Sequence, residues 1–157
     1  MSVKTELYIS NRFSIYDIKN VIESHLDVEV KIDQTGIPDL LEFYFTLKGD
    51  TRLMSVHINA DAIIGKATLL RLGSNEEGKE IMLTIAKVTG GLYVPEDTSD
   101  DCQMIRGMLS DEDGLPYFIK DAIIHNNMTD NHDLRGLNES IKKWQAKMNR
   151  VSVDTYE

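Results

Sequence analysis

The stretch from Leu69 to Asp101, LLRLGSNEEGKEIMLTIAKVTGGLYVPEDTSDD, constrains this chain more than any other. A strand end, a helix-starting signal, one helical stripe, a double glycine and a short apolar run follow one another without a gap. Ser74 stands where an N-cap would accept from the amide of Glu77. Glu77 in turn could reach back to the amide of Ser74, the reciprocal pattern of a capping box. Ile81, Met82, Ile85 and Val88 recur at helical spacing and give the helix one apolar face. Gly90, having no Cβ, suits the left-handed position that ends many helices. Pro95 closes the Leu92–Val94 run, and Glu96, Asp97, Asp100 and Asp101 follow directly. This block says much about architecture and little about chemistry.

The same reading extends along the chain. Glu6–Ser10 predicts a strand with Leu7 and Ile9 on one face. Ser14 reads as an N-cap, with Asp17 near the positive end of a helix whose buried stripe is Ile15, Ile18, Val21 and Ile22, extended by His25 or Leu26. Val28–Ile32 alternates as a half-buried strand, and Gln34–Pro38 is a turn. Leu41–Leu47 and Leu53–Asn59 form a hairpin through Lys48-Gly-Asp50. Lys66–Leu72 is a further strand. Past the acidic loop, Asp100 or Asp101 can cap a short helix over Cys102–Met108. Helices are expected over Tyr117–His125 and Asn138–Asn149, and Val151–Glu157 is expected to fray. The order predicts an α+β fold: one domain over residues 1–157, a mainly antiparallel sheet packed by helices on one side, and a helical C-terminal part over residues 115–150.

Bulk properties narrow the function. No apolar run approaches the roughly 18 residues of a membrane span, and the N-terminal MSVKTELYIS lacks a signal-peptide core. Cys102 is the sole cysteine, so neither an internal disulfide nor a cysteine-based zinc cage is available. The expected location is the cytoplasm, a reducing compartment. A net charge of −9 disfavours direct nucleic-acid binding, which depends on cations that neutralise phosphates. The charge is also uneven. Glu96, Asp97, Asp100, Asp101, Asp111, Glu112 and Asp113 face only Arg106 between Leu92 and Ile119, whereas Lys142, Lys143, Lys147 and Arg150 outnumber Glu139 between Leu137 and Arg150. Two solvated faces would account for this; an acidic surface that docks a basic partner is the sharper reading.

Four catalytic or metal-binding patterns fall short. His57-Ile-Asn59 and His125-Asn-Asn127 look like paired His-x-Ser/Thr motifs, in which two imidazoles act as acid and base, but both third positions are Asn. Asp27-Val-Glu29-Val-Lys31 would place two carboxylates and a lysine on one strand face, as in a metal-dependent nuclease; a solvent-exposed amphipathic strand looks the same. The loops Asp97–Asp101 and Asp111–Gly114 offer oxygen ligands without EF-hand spacing, since Ala122 stands where the twelfth-position Glu belongs. Cys102 has acidic neighbours, which oppose thiolate formation. Met104, Met108, Trp144 and Met148 could make a soft docking surface or ordinary core.

The block Leu69, Leu72, Gly73, the helix to Thr89, Gly90, Gly91, Leu92, Pro95, Asp97, Asp100 and Asp101 resembles a pattern in small uncharacterised phage and prophage proteins. The resemblance implies an accessory protein that acts by binding, and no catalytic role transfers with it. The expectation is a non-enzymatic phage or mobile-element protein, without cofactor or metal, that binds and inhibits a host or defence protein in the host cytoplasm. Glu96, Asp97, Asp100, Asp101, Asp111, Glu112 and Asp113 would form the surface that meets a basic partner; a membrane is not involved, and a homo-oligomer stays open. Two other readings compete with it. One is a small metal-assisted hydrolase or nuclease using Glu29, Lys31 or the acidic loop; the other is a virion or assembly component.

Overall fold

Period-two alternation over Lys4–Ile9 sends Thr5, Leu7 and Ile9 to one side and Lys4, Glu6 and Tyr8 to the other. That split governs the whole sheet. The computed structural model describes residues 3–61, 66–98, 103–108 and 153–155. Within them run β1 (Lys4–Ile9), α1 (Ile15–Leu26), β2 (Lys31–Gln34), β3 (Leu40–Leu47), β4 (Asp50–Asp61), β5 (Lys66–Gly73), α2 (Glu76–Thr89), β6 (Gly91–Val94), β7 (Gln103–Arg106) and β8 (Val153–Thr155). The strands form one sheet in the order β2-β3-β4-β5-β1-β6-β7-β8, antiparallel throughout except for the parallel pair β7–β8. This is an α+β fold. The expected helices over Tyr117–His125 and Asn138–Asn149 lie outside the described residues.

The core lies between one sheet face and the two helices. Leu7, Ile9, Phe43, Met54, Val56 and Leu70 on the sheet meet Ile18 and Ile22 of α1 and Ile81, Met82 and Ile85 of α2, all buried. Sealing such side chains from water supplies about 2 kcal/mol each. Ser14 caps α1 as expected: its hydroxyl accepts from the Asp17 amide at 3.1 Å, and the Asp17 carboxylate accepts from the Ser14 amide at 2.9 Å. The β3–β4 hairpin turns through Lys48 and Gly49, both at positive φ, with Leu47 opposite Asp50. Such a two-residue turn matches the strand twist.

Four expectations need correction. The cap of α2 is Asn75, not Ser74: Asn75 Oδ1 accepts from the Gly78 amide at 2.7 Å, while the Ser74 amide donates to the Val3 carbonyl. Glu77 does not reach back, because its carboxylate is engaged with Arg52. The strand expected over Val28–Ile32 begins only at Lys31. Asp27 is left-handed at the end of α1, and the Val30 amide donates to Glu23 of that helix at 3.0 Å instead of to a neighbouring strand. Residues 103–106, expected in a short helix, form β7, because Ile105 is buried opposite Gly91 of β6 and tertiary pairing overrides the local capping signal. Finally, Val153–Thr155, expected to fray, pairs with β7.

Contact requires glycine at three described positions, one of them Gly107, where a Cβ would lie 2.1 Å from the Gly90 nitrogen. A Cβ on Gly78 would lie 2.0 Å from the Gly73 carbonyl oxygen, where α2 begins against the end of β5. Gly91, at φ +136°, would press a Cβ to 2.2 Å from the Tyr8 carbonyl.

Candidate functional site

The sheet face away from the helices carries the chemistry. Register places Glu6 beside Arg71 and Arg71 beside Ser55; in the next row Tyr8, Leu69 and His57 stand abreast. Further along the face come Leu40, Glu42 and Tyr44 of β3, Leu53 of β4, and Lys31 and Asp33 of β2. Leu53 is 44% exposed although it sits mid-strand.

Arg71 is the hub. Its Nε lies 2.8 Å from Glu6 Oε2, and its Nη2 donates to Asp97 Oδ2 at 2.9 Å. Asp97 is tied again to β1: its Oδ1 accepts from the Lys4 amide at 3.2 Å, and its own amide donates to the Lys4 carbonyl at 2.9 Å. The first turn of the acidic loop is thus fastened at three points to two neighbouring strands. Glu96 beside it pairs with Lys79 of α2 at 3.1 Å. Burial raises the Glu6 pKa against the pull of Arg71, and the Asp97 charge adds to the rise. Tyr8 is also raised, by burial and then by Glu6. His57 is lowered by burial and then by the Arg71 charge, so its imidazole is held neutral near pH 7.

A second charged group marks the start of α2. Arg52 pairs with Glu77 and, at 3.5 Å, with Asp50. Arg52, Leu53, Leu72, Asn75 and Glu77 line a cavity of about 190 Å³ there, and among the described residues Arg52 Nε and Glu77 Oε1 have no hydrogen-bond partner. The Glu77 carboxylate already occupies the anion-favouring end of the helix.

Of the residues expected to meet a partner, Glu96 and Asp97 are both paired within the chain. Asp100, Asp101, Asp111, Glu112 and Asp113 lie outside the described residues, as do Cys102 and His125. Asp27, Glu29 and Lys31 do not share a strand face, since the strand begins at Lys31. Glu29 and Lys31 both border an open hollow of about 390 Å³ with Tyr44 and Thr46. Among the described residues no three His, Cys, Asp or Glu side chains converge as metal ligands, and no helix is long and apolar enough to cross a membrane.

Sequence reasoning missed Arg71 altogether. Its partners stand 65 residues before it and 26 after it, and no local pattern joins positions so far apart. The detectable signal was a lone cation on the polar side of a strand, which any solvated face shows. Comparison with protein families, with curated proteins and with solved structures finds no match to this chain.

Proposed function

We propose that this protein is a non-enzymatic binding protein, an accessory factor of the phage or mobile-element kind, whose acidic loop docks on a basic surface of a host or defence protein. The observation that supports this reading is the fastening of Asp97. Arg71 and the Lys4 backbone hold the root of the acidic run against β1, so the segment that follows leaves the sheet from a fixed point. Fixing one end of a segment lowers the conformational freedom it has to lose on binding. Glu96 and Asp97 then serve as scaffold, and the recognition charges are Asp100, Asp101, Asp111, Glu112 and Asp113.

The test separates these roles. An arginine-rich peptide, followed by fluorescence anisotropy, is titrated with the full chain over a salt series. Replacing Asp100→Asn and Asp101→Asn together should weaken binding about tenfold and flatten the salt dependence. Glu76→Gln with Glu80→Gln removes the same charge from the exposed side of α2 and should leave affinity unchanged. Equal losses from both pairs would reduce the effect to net charge and remove the loop from consideration. The same variants applied to capture of the biological partner would extend the result beyond the peptide.

A further inference from the structure

We infer that β2 is a self-pairing edge, and that two copies of this chain join antiparallel along it about a twofold axis at Ile32. Among the described residues β2 ends the sheet, with only β3 beside it, and Lys31, Asp33 and Gln34 are exposed. No described strand pairs with its outer backbone N–H and C=O groups, and such an edge is a template for another strand. Alternation puts Lys31 and Asp33 on the face away from α1 and α2, while Ile32, opposite buried Phe43, faces the core side.

The charges select both the occupant and the register. Asp33 lies directly opposite Glu42 of β3, a like-charge neighbour that destabilises the pair. On its outer side a cation would be welcome. Antiparallel pairing centred on Ile32 brings Lys31 of the second copy beside Asp33, and by symmetry Lys31 beside the second copy's Asp33. Two opposite-charge cross-strand pairs form on the face away from α1 and α2, and Ile32 meets its own symmetry mate beneath. Shifting the axis to lie between Ile32 and Asp33 would instead oppose Ile32 to Asp33 and lose both pairs. A lone edge lysine acts against strand addition; a lysine two residues before an aspartate is complementary to its own reverse. Because the twofold axis is normal to the sheet, both copies keep their helices on the same side. Pairing over only four residues makes a small interface, so the association is a weak one, in the micromolar range or above.

Sedimentation of the full chain over a concentration series, at low and high salt, tests the arrangement. The wild type should form a reversible dimer that weakens with salt. Lys31→Asp places like charges opposite each other, as does Asp33→Lys, and each variant should be monomeric. Mixing these two variants should restore a dimer, since every cross-strand pair is then of opposite sign. The double exchange Lys31→Asp with Asp33→Lys should self-associate like the wild type. Both positions are exposed, and unchanged circular dichroism and melting would confirm that each variant folds. A wild type monomeric throughout would overturn the inference. So would single variants that dimerise as well as the wild type, which would put the contact elsewhere on the molecule.

Discussion

His57 and Glu6, in adjacent rows of the sheet face away from α1 and α2, should shape the pH dependence of stability in opposite senses. Burial and Arg71 lower the His57 pKa below its ordinary 6.5. The unfolded chain therefore binds more protons in the window just below 6.5, and stability there rises with pH and falls on acidification. Glu6 is raised above 4.5, so in the window just above that value the folded state binds more protons and stability falls as pH rises. Urea midpoints measured across pH should show both slopes. His57→Gln should flatten the slope below 6.5 and leave the one above 4.5 in place. A histidine variant that retains the upper slope would assign that titration to another group.

At the scale of elements, the start of α2 gives a sharp contrast between neighbouring residues. Asn75→Ala removes an acceptor for the Gly78 amide and should cost about 1 kcal/mol, whereas Ser74→Ala should fall within about 0.5 kcal/mol because Ser74 is held through its backbone. Chemical denaturation of the two variants decides the matter, and the opposite ranking would restore the capping box. This residue-level miss shows where sequence reading stops. The apolar stripe of α2, the Ser14 cap and the β3–β4 hairpin were legible because each signal lies within a few residues of its partner. Lys31 as the true start of β2, and β7 and β8 as strands, were not. The first depends on Glu23 taking the Val30 amide, and the others on pairing with strands distant in sequence. The candidate site was half legible. Its acidic run was plain to read, while Arg71, which ties down the beginning of that run, was hidden by chain separation.

For the whole molecule, the position of β1 matters most. β2, β3, β4 and β5 are neighbours in both sequence and space, but β1 lies between β5 and β6, with Arg71 on one flank and Val94 on the other. The meander can zip from turn to turn, whereas β1 closes a long loop before its first bond. Pulse-labelled hydrogen exchange during refolding should protect amides of β3 and β4 before those of Leu7 and Tyr8. Simultaneous protection would mean that the N-terminal strand belongs to the folding nucleus.

The bonds from Lys4 to Asp97 have a consequence for the living cell. β1, which those bonds fasten, must stay unmated at least until β5 has been made, since Ile9 pairs with Thr68, 59 residues on. During that interval Leu7 and Ile9 lack their partner strand, so slowing translation between β1 and β5 should lengthen the time these apolar side chains are open to chaperones.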